Sequence, residues 1–172
     1  MRKVGKVVSF LFDLFEVYLA VVVFASLIVS IFLEVFFRYV LNRPSGHLFE
    51  LSIYLFVWVI YLGGALATRY NQHVRFDLIY RQLSDKGRQV LETVFDLLTN
   101  AVLLVLFFPA VRYTIELYKI KSSVLRVPWT FLLVVFPIFL ALVLIHNFTN
   151  IAKNVLRLSG RQVKDAEVFP WQ

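Results

Sequence analysis

The chain has 172 residues, 60% of them hydrophobic and 17% aromatic, with a mean hydropathy of +0.76. A soluble domain is usually about 45–50% apolar, so the excess calls for lipid as solvent. The absence of cysteine excludes a disulfide relay, an iron–sulfur cluster and a thiolate zinc site. The net charge of +7 comes from residues scattered between apolar runs, which argues against nucleic acid as a partner.

Residues 1–15, "MRKVGKVVSFLFDLF", place Arg2, Lys6, Ser9 and Asp13 on one helical face. Val4, Val7, Val8, Leu11 and Phe15 fall on the other, which predicts a basic interfacial helix in the headgroup plane. Arg2, Lys3 and Lys6 ahead of an apolar run resemble a signal peptide. Asp13 and Glu16 interrupt that run, however, and it continues to spanning length, so the segment is expected to be retained.

The first span covers about residues 17–38. Ser26, Ser30, Glu34 and Arg38 recur every four residues and make one polar stripe. Charge at the bilayer centre costs about 2.5–3.5 kcal/mol, so the stripe is expected to face protein. The spacing favours an ion pair between Glu34 and Arg38 on a helix–helix seam near the outer interface. The functional alternative makes Glu34 a proton or ion carrier.

The second span, about 50–69, opens with Glu50 and ends at the polar "RYNQHVRFD". Gly63, Gly64, Ala65 and Ala67 form a small-residue patch, of the kind that lets backbones approach closely in lipid. Beyond it, "FDLIYRQLSDKGRQVLETVFD" predicts an amphipathic cytoplasmic segment laced with alternating charges at helical spacing. The third span, about 90–112, has only fifteen uncharged residues, from Leu97 to Val111. That is about 22 Å of helix, so Asp96 or Arg112 must lie near the membrane boundary. The fourth span covers about 127–153, and residues 154–172 form a tail. The expected architecture is therefore an all-α integral membrane domain of four spans over 1–172, with no separate soluble domain.

Tails and second loop together carry twelve Lys and Arg, against six in the first and third loops. This bias predicts both termini in the cytoplasm. A haem site fits poorly, because two facing ligands at one depth are needed. His47 falls in the outer loop, His73 beyond span two and His146 in the inner half of span four. A bond to a neighbour accounts for His146. No cofactor, metal pair, phosphate loop or nucleophile elbow is expected, and no enzymatic activity.

One long stretch, "FFRYVLNRPSGHLFELSIYLFVWVIYLGGALATRYNQHVRFDLI", resembles the small membrane subunit of TRAP (tripartite ATP-independent periplasmic) transporters. The features carrying the resemblance are Arg38-Tyr39, Asn42, Glu50, Trp58, Gly63 with Ala65 and Ala67, His73-Val74-Arg75 and Asp77. "SSVLRVPWTFLLVVFPIF", with Pro137, is similar to the family's lead into its last span. The family usually has a Trp shortly before the span-two glutamate. Here His47-Leu48-Phe49 stand there, and Phe49 is expected to take the aromatic role.

The resemblance implies a bacterial inner-membrane subunit without transport activity of its own. Its partners would be a large multi-spanning subunit carrying substrate and sodium by an elevator motion, and a periplasmic substrate-binding protein. The cargo class would be organic acids such as a sialic acid or a four-carbon dicarboxylate. On this reading Ser26, Ser30, Glu34, Arg38, Glu50, Gly63, Gly64 and Asp96 make large-subunit or seam contacts. Glu50 is expected to pair with Arg38 or Arg43, and His73, Arg75 and Asp77 to fasten the inner end of span two. Arg43, Lys119, Lys121 and Arg126 are candidates for docking the binding protein, with lipid headgroups the plainer partners. The rival class is a self-sufficient dimeric proton-coupled transporter using Glu34.

Overall fold

The computed structural model describes residues 13–70 and 84–158. A wide π-helical turn, Asp13–Tyr18, leads into α1 (Leu19–Tyr39), and α2 follows as Gly46–Arg69. Helix α3 spans Asp85–Glu116 and ends in a 3-10 turn, Leu117–Lys119. A single turn, α4 (Thr130–Leu133), precedes α5 (Val135–Leu158). Four of these stretches are long and apolar enough to cross a bilayer: Glu16–Tyr39, Gly46–Arg69, Gln89–Lys119 and Thr130–Arg157. The four-span, all-α expectation holds. The predicted N-terminal interfacial helix falls largely outside the described residues.

The boundaries follow from local chemistry. Asn42 takes a left-handed φ of 51° in the turn between α1 and α2, a conformation Asn tolerates better than most residues. Ser84 caps α3, its hydroxyl accepting the Gly87 N–H at 3.3 Å. Pro137 lacks the N–H that would reach back to the Leu133 carbonyl, and its ring crowds that carbonyl, so the fourth span is interrupted at Val134.

Helix α3 departs from the expected plan. The described part of the predicted amphipathic segment, from Asp85 onward, runs without a break into span three as one helix of 32 residues. That is about 48 Å, longer than the roughly 30 Å hydrocarbon core. Thr130 donates through its hydroxyl to the Thr114 carbonyl at 2.8 Å, which sets the two helices level there. Asp96 lies eighteen residues before Thr114 on this helix, about 27 Å along its axis.

Helix α1 packs along α2, α2 along α5 and α5 along α3. Val23, Leu62 and Val135 form a buried core joining α1, α2 and α5. Tyr61 stacks obliquely on Phe136 and Phe139, with each pair of ring centres 5.4 Å apart. A Cβ on Gly64 would meet the Phe139 ring at 3.0 Å, so an added methyl would require that ring to give by a few tenths of an ångström. Ala65 is fully buried beside it. Gly63 faces open space. The small-residue patch thus serves an internal seam at Gly64 and leaves Gly63 outward. Phe32, Val105 and Phe108 are among the many exposed apolar side chains of α1 and α3, as expected of surfaces in lipid or against another subunit. Tyr39, Tyr113, Tyr118 and Trp129 are exposed toward one end of the bundle, where an aromatic belt belongs.

Candidate functional site: polar joints at both ends of the bundle

At one end of the bundle, residues 120–129 close into a tight hairpin. Trp129 N–H donates to the Ile120 carbonyl and Ser122 N–H to the Val127 carbonyl, both at 2.9 Å. Val127 N–H donates to the Ser122 hydroxyl at 3.2 Å. The tip is then held from α2: Glu50 Oε2 accepts the Val124 N–H at 3.0 Å and the Leu125 N–H at 2.6 Å. Bonds from backbone amides to a carboxylate are charge-assisted and stronger than neutral ones. The next residue, Arg126, takes φ of 54°, a left-handed conformation that costs a non-glycine residue about 1–3 kcal/mol and persists where neighbours enforce it.

This corrects one expectation. Glu50 does not pair with Arg38 or Arg43. It binds main-chain N–H groups of the loop between spans three and four. Phe49 is exposed at the head of α2, where the aromatic was expected. Trp58 adds a second tie, its indole N–H donating to the Phe131 carbonyl of α4 at 3.0 Å.

The α1 stripe divides. Glu34 forms an ion pair with Arg38, as the spacing predicted, with Glu34 buried and Arg38 half exposed. The Ser30 hydroxyl donates across the seam to the Leu48 carbonyl of α2 at 3.2 Å. Ser26 is exposed and donates to the Val22 carbonyl of its own helix at 2.8 Å.

At the opposite end lies a cluster that no motif announced. Glu16 is fully buried. Its Oε2 accepts from Arg69 Nη1 at 3.0 Å, and its Oε1 lies 2.6 Å from His146 Nε2. The Arg69 guanidinium also lies over the Tyr70 ring, 5.5 Å from its centre. One carboxylate therefore ties the start of span one to the end of α2 and to the middle of α5. In the sequence Glu16 counted only as a charge interrupting an apolar run. The available signal was that one buried carboxylate needs cations, and that Arg69 and His146 fall at the same depth.

Asp96 and Glu92 are half buried on α3. Asn100, one turn on, is 3% exposed, and its amide has no hydrogen-bond partner among the described residues. Arg43, Lys119, Lys121 and Arg126 are all exposed at the hairpin end. The described acids at that end are engaged elsewhere: Glu34 with Arg38, Glu50 with the hairpin, and Glu116 with Arg112 at 3.0 Å. His73, Arg75 and Asp77 lie outside the described residues.

Four apolar helices, fastened at one end by the buried Glu16 and at the other by the partly exposed Glu50, define a small polytopic membrane protein. Residues 27–157 match the family model of tripartite ATP-independent periplasmic transporters, DctQ component, and the chain belongs to that family. Over 80 residues it is 32% identical to a Haemophilus influenzae protein that carries the description TRAP transporter small permease protein. That match covers 46% of this chain and spans half the length of the relative.

Proposed function

We propose that this chain is the small permease subunit of a sodium-coupled, binding-protein-dependent TRAP transporter for organic acids, and that it braces the static scaffold of the large transport subunit. The observation that carries this reading is the fixed engagement of its membrane carboxylates. Glu16 is held by Arg69 and His146, Glu34 by Arg38, and Glu50 by two backbone amides. An ion carrier must bind and release its ion within each cycle, whereas these groups are engaged by fixed partners: Glu16 on two other helices, Glu50 on the hairpin and Glu34 within its own helix. The rival transporter built on Glu34 is weakened by the same fact, since its carboxylate is already neutralised one turn away. The subunit sits in the bacterial inner membrane with both termini cytoplasmic, which places the Glu50 hairpin in the periplasm and the Glu16 cluster near the cytoplasm.

A second reading concerns the outer face. Arg43, Lys119, Lys121 and Arg126 are exposed, and no described acid lies within ion-pair distance of them. These cations suit an acidic face of the periplasmic binding protein.

Gentle solubilisation of the tagged chain from its native membrane tests the principal reading. A much larger polytopic protein should co-purify in fixed stoichiometry. A chain that purifies only with itself refutes the proposal.

A further inference from the structure

We infer that the seam between α3 and α5 holds ordered water at Asn100, bridging its side-chain amide to Asn147 on the facing helix. Between Asp96 and Ala110, the only residues of α3 that are not exposed are Asp96, Asn100, Leu103, Phe107 and Ala110. They recur alternately four and three residues apart, which makes one continuous stripe on a helix packed along another. That other helix is α5. The stripe changes character midway. Leu103, Phe107 and Ala110 fill it toward the hairpin, and Asn100 and Asp96 take it over toward the end that holds Glu16.

The facing stripe on α5 changes at the same level. Phe139 and His146, seven residues apart, look toward α2, where Phe139 meets Tyr61 and His146 shares Glu16 with Arg69. Leu140 and Asn147, one position further on, are turned about 100° round the helix and are buried as well. Ile145 and Phe148, on the remaining side, are exposed, so Leu140 and Asn147 are covered by α3. The bond from Thr130 to the Thr114 carbonyl sets the two helices level. Asn100 lies fourteen residues from Thr114, about 21 Å, and Asn147 seventeen from Thr130, about 26 Å. The two asparagines are therefore level to within one helical turn.

The chemistry of Asn100 selects the guest. The residue is 3% exposed, and both its Oδ1 and its Nδ2 are buried without a hydrogen-bond partner among the described residues. The oxygen calls for a donor and the NH2 group for an acceptor. A metal cation would serve the oxygen alone, and an anion the nitrogen alone. Water is donor and acceptor at once, and a buried water typically makes about three hydrogen bonds to groups of this kind. A side chain from another subunit cannot reach an amide so deeply enclosed within the seam. Apolar side chains thus join α3 to α5 toward the hairpin, and water-bridged amides join them beyond Leu103.

The test uses the full chain, uniformly isotope-labelled, in lipid bilayers and read by water-edited solid-state NMR. Magnetisation is passed from water to the protein, and the rise of the Asn100 side-chain NH2 signal, identified by its loss in Asn100→Leu, is timed. That substitution removes the amide and its water together, an exchange that is nearly neutral for the fold. The Asn100 signal is expected to rise at least fivefold faster than the backbone amide of Leu103, which lies one turn away in the apolar half. Asn147→Leu should slow it about threefold. Equal rates at Asn100 and Leu103, a rate that Asn147→Leu leaves unchanged, or an Asn100 signal that shifts when sodium is replaced by N-methylglucamine would each overturn the assignment.

Discussion

Glu16 and His146 lie 130 positions apart in the chain, yet the carboxylate oxygen and the imidazole Nε2 are 2.6 Å apart. Arg69 closes the same carboxylate from α2 at 3.0 Å. Breaking a buried ion pair by removing one partner leaves the other uncompensated, at a cost of about 3–5 kcal/mol. Glu16→Ala should therefore lower the thermal midpoint of the purified chain by many degrees. Glu16→Gln, which keeps an acceptor, should lose less. In a double-mutant cycle, Glu16→Ala and His146→Ala should be strongly non-additive, and additive losses would mean that the two residues act independently.

The Glu50 joint predicts a local effect. Glu50→Gln removes the charge that accepts the Val124 and Leu125 amides. Limited proteolysis within residues 120–129 should become several-fold faster, while the rest of the chain stays protected. Sodium coupling of the assembled transporter should survive. Loss of coupling with assembly intact would make Glu50 an ion group and not a joint.

Two adjacent glycines should behave oppositely. At Gly64 an added methyl meets the Phe139 ring at 3.0 Å, and overpacking of this kind typically costs about 1–3 kcal/mol. At Gly63 nothing lies within 4 Å. Gly64→Ala should lower the melting temperature of the isolated chain, and Gly63→Ala should leave it unchanged. If Gly63→Ala nevertheless weakens co-purification with the large subunit, that face is the contact.

Asn100 offers a test in the other direction. An unpartnered buried amide typically costs about 1–3 kcal/mol, and an apolar side chain of similar size removes that penalty. Asn100→Leu should be neutral or stabilising by thermal unfolding. A marked loss of stability would show that the amide is satisfied in the membrane.

Much of this fold is legible from the residues, and the limits of that legibility are physical. The Glu34–Arg38 pair follows from four-residue spacing on one helix, where neighbours are fixed by geometry. That His146 needs a partner is also plain. That the partner is Glu16 is not, because the bond depends on how α1 and α5 pack around α2. Glu50 was harder still: its partners are backbone amides, which every residue but proline possesses and which leave no mark in the sequence. The continuity of α3 through Asp85 was obscured because an amphipathic surface stretch and an apolar span carry different periodic signals, although both are helical.

The outer cations give a binding prediction. Charge reversal at Lys119, Lys121, Arg126 and Arg43 should slow uptake that depends on the binding protein, most strongly at low ionic strength where exposed charges are least screened. Unchanged uptake at low salt would confine these residues to headgroup contact or solvation.

The central claim is that this chain braces a transporter without carrying ions itself. The most direct measurement is sodium-gradient-driven uptake of a candidate organic acid into liposomes, in the presence of its binding protein. Vesicles holding this chain alone should be compared with vesicles holding it together with its co-purifying large subunit. The account predicts uptake by the pair and none by the chain alone, with Glu34→Gln in the pair still coupled to sodium. Uptake by the chain alone, abolished by Glu34→Gln in a folded protein, would contradict it.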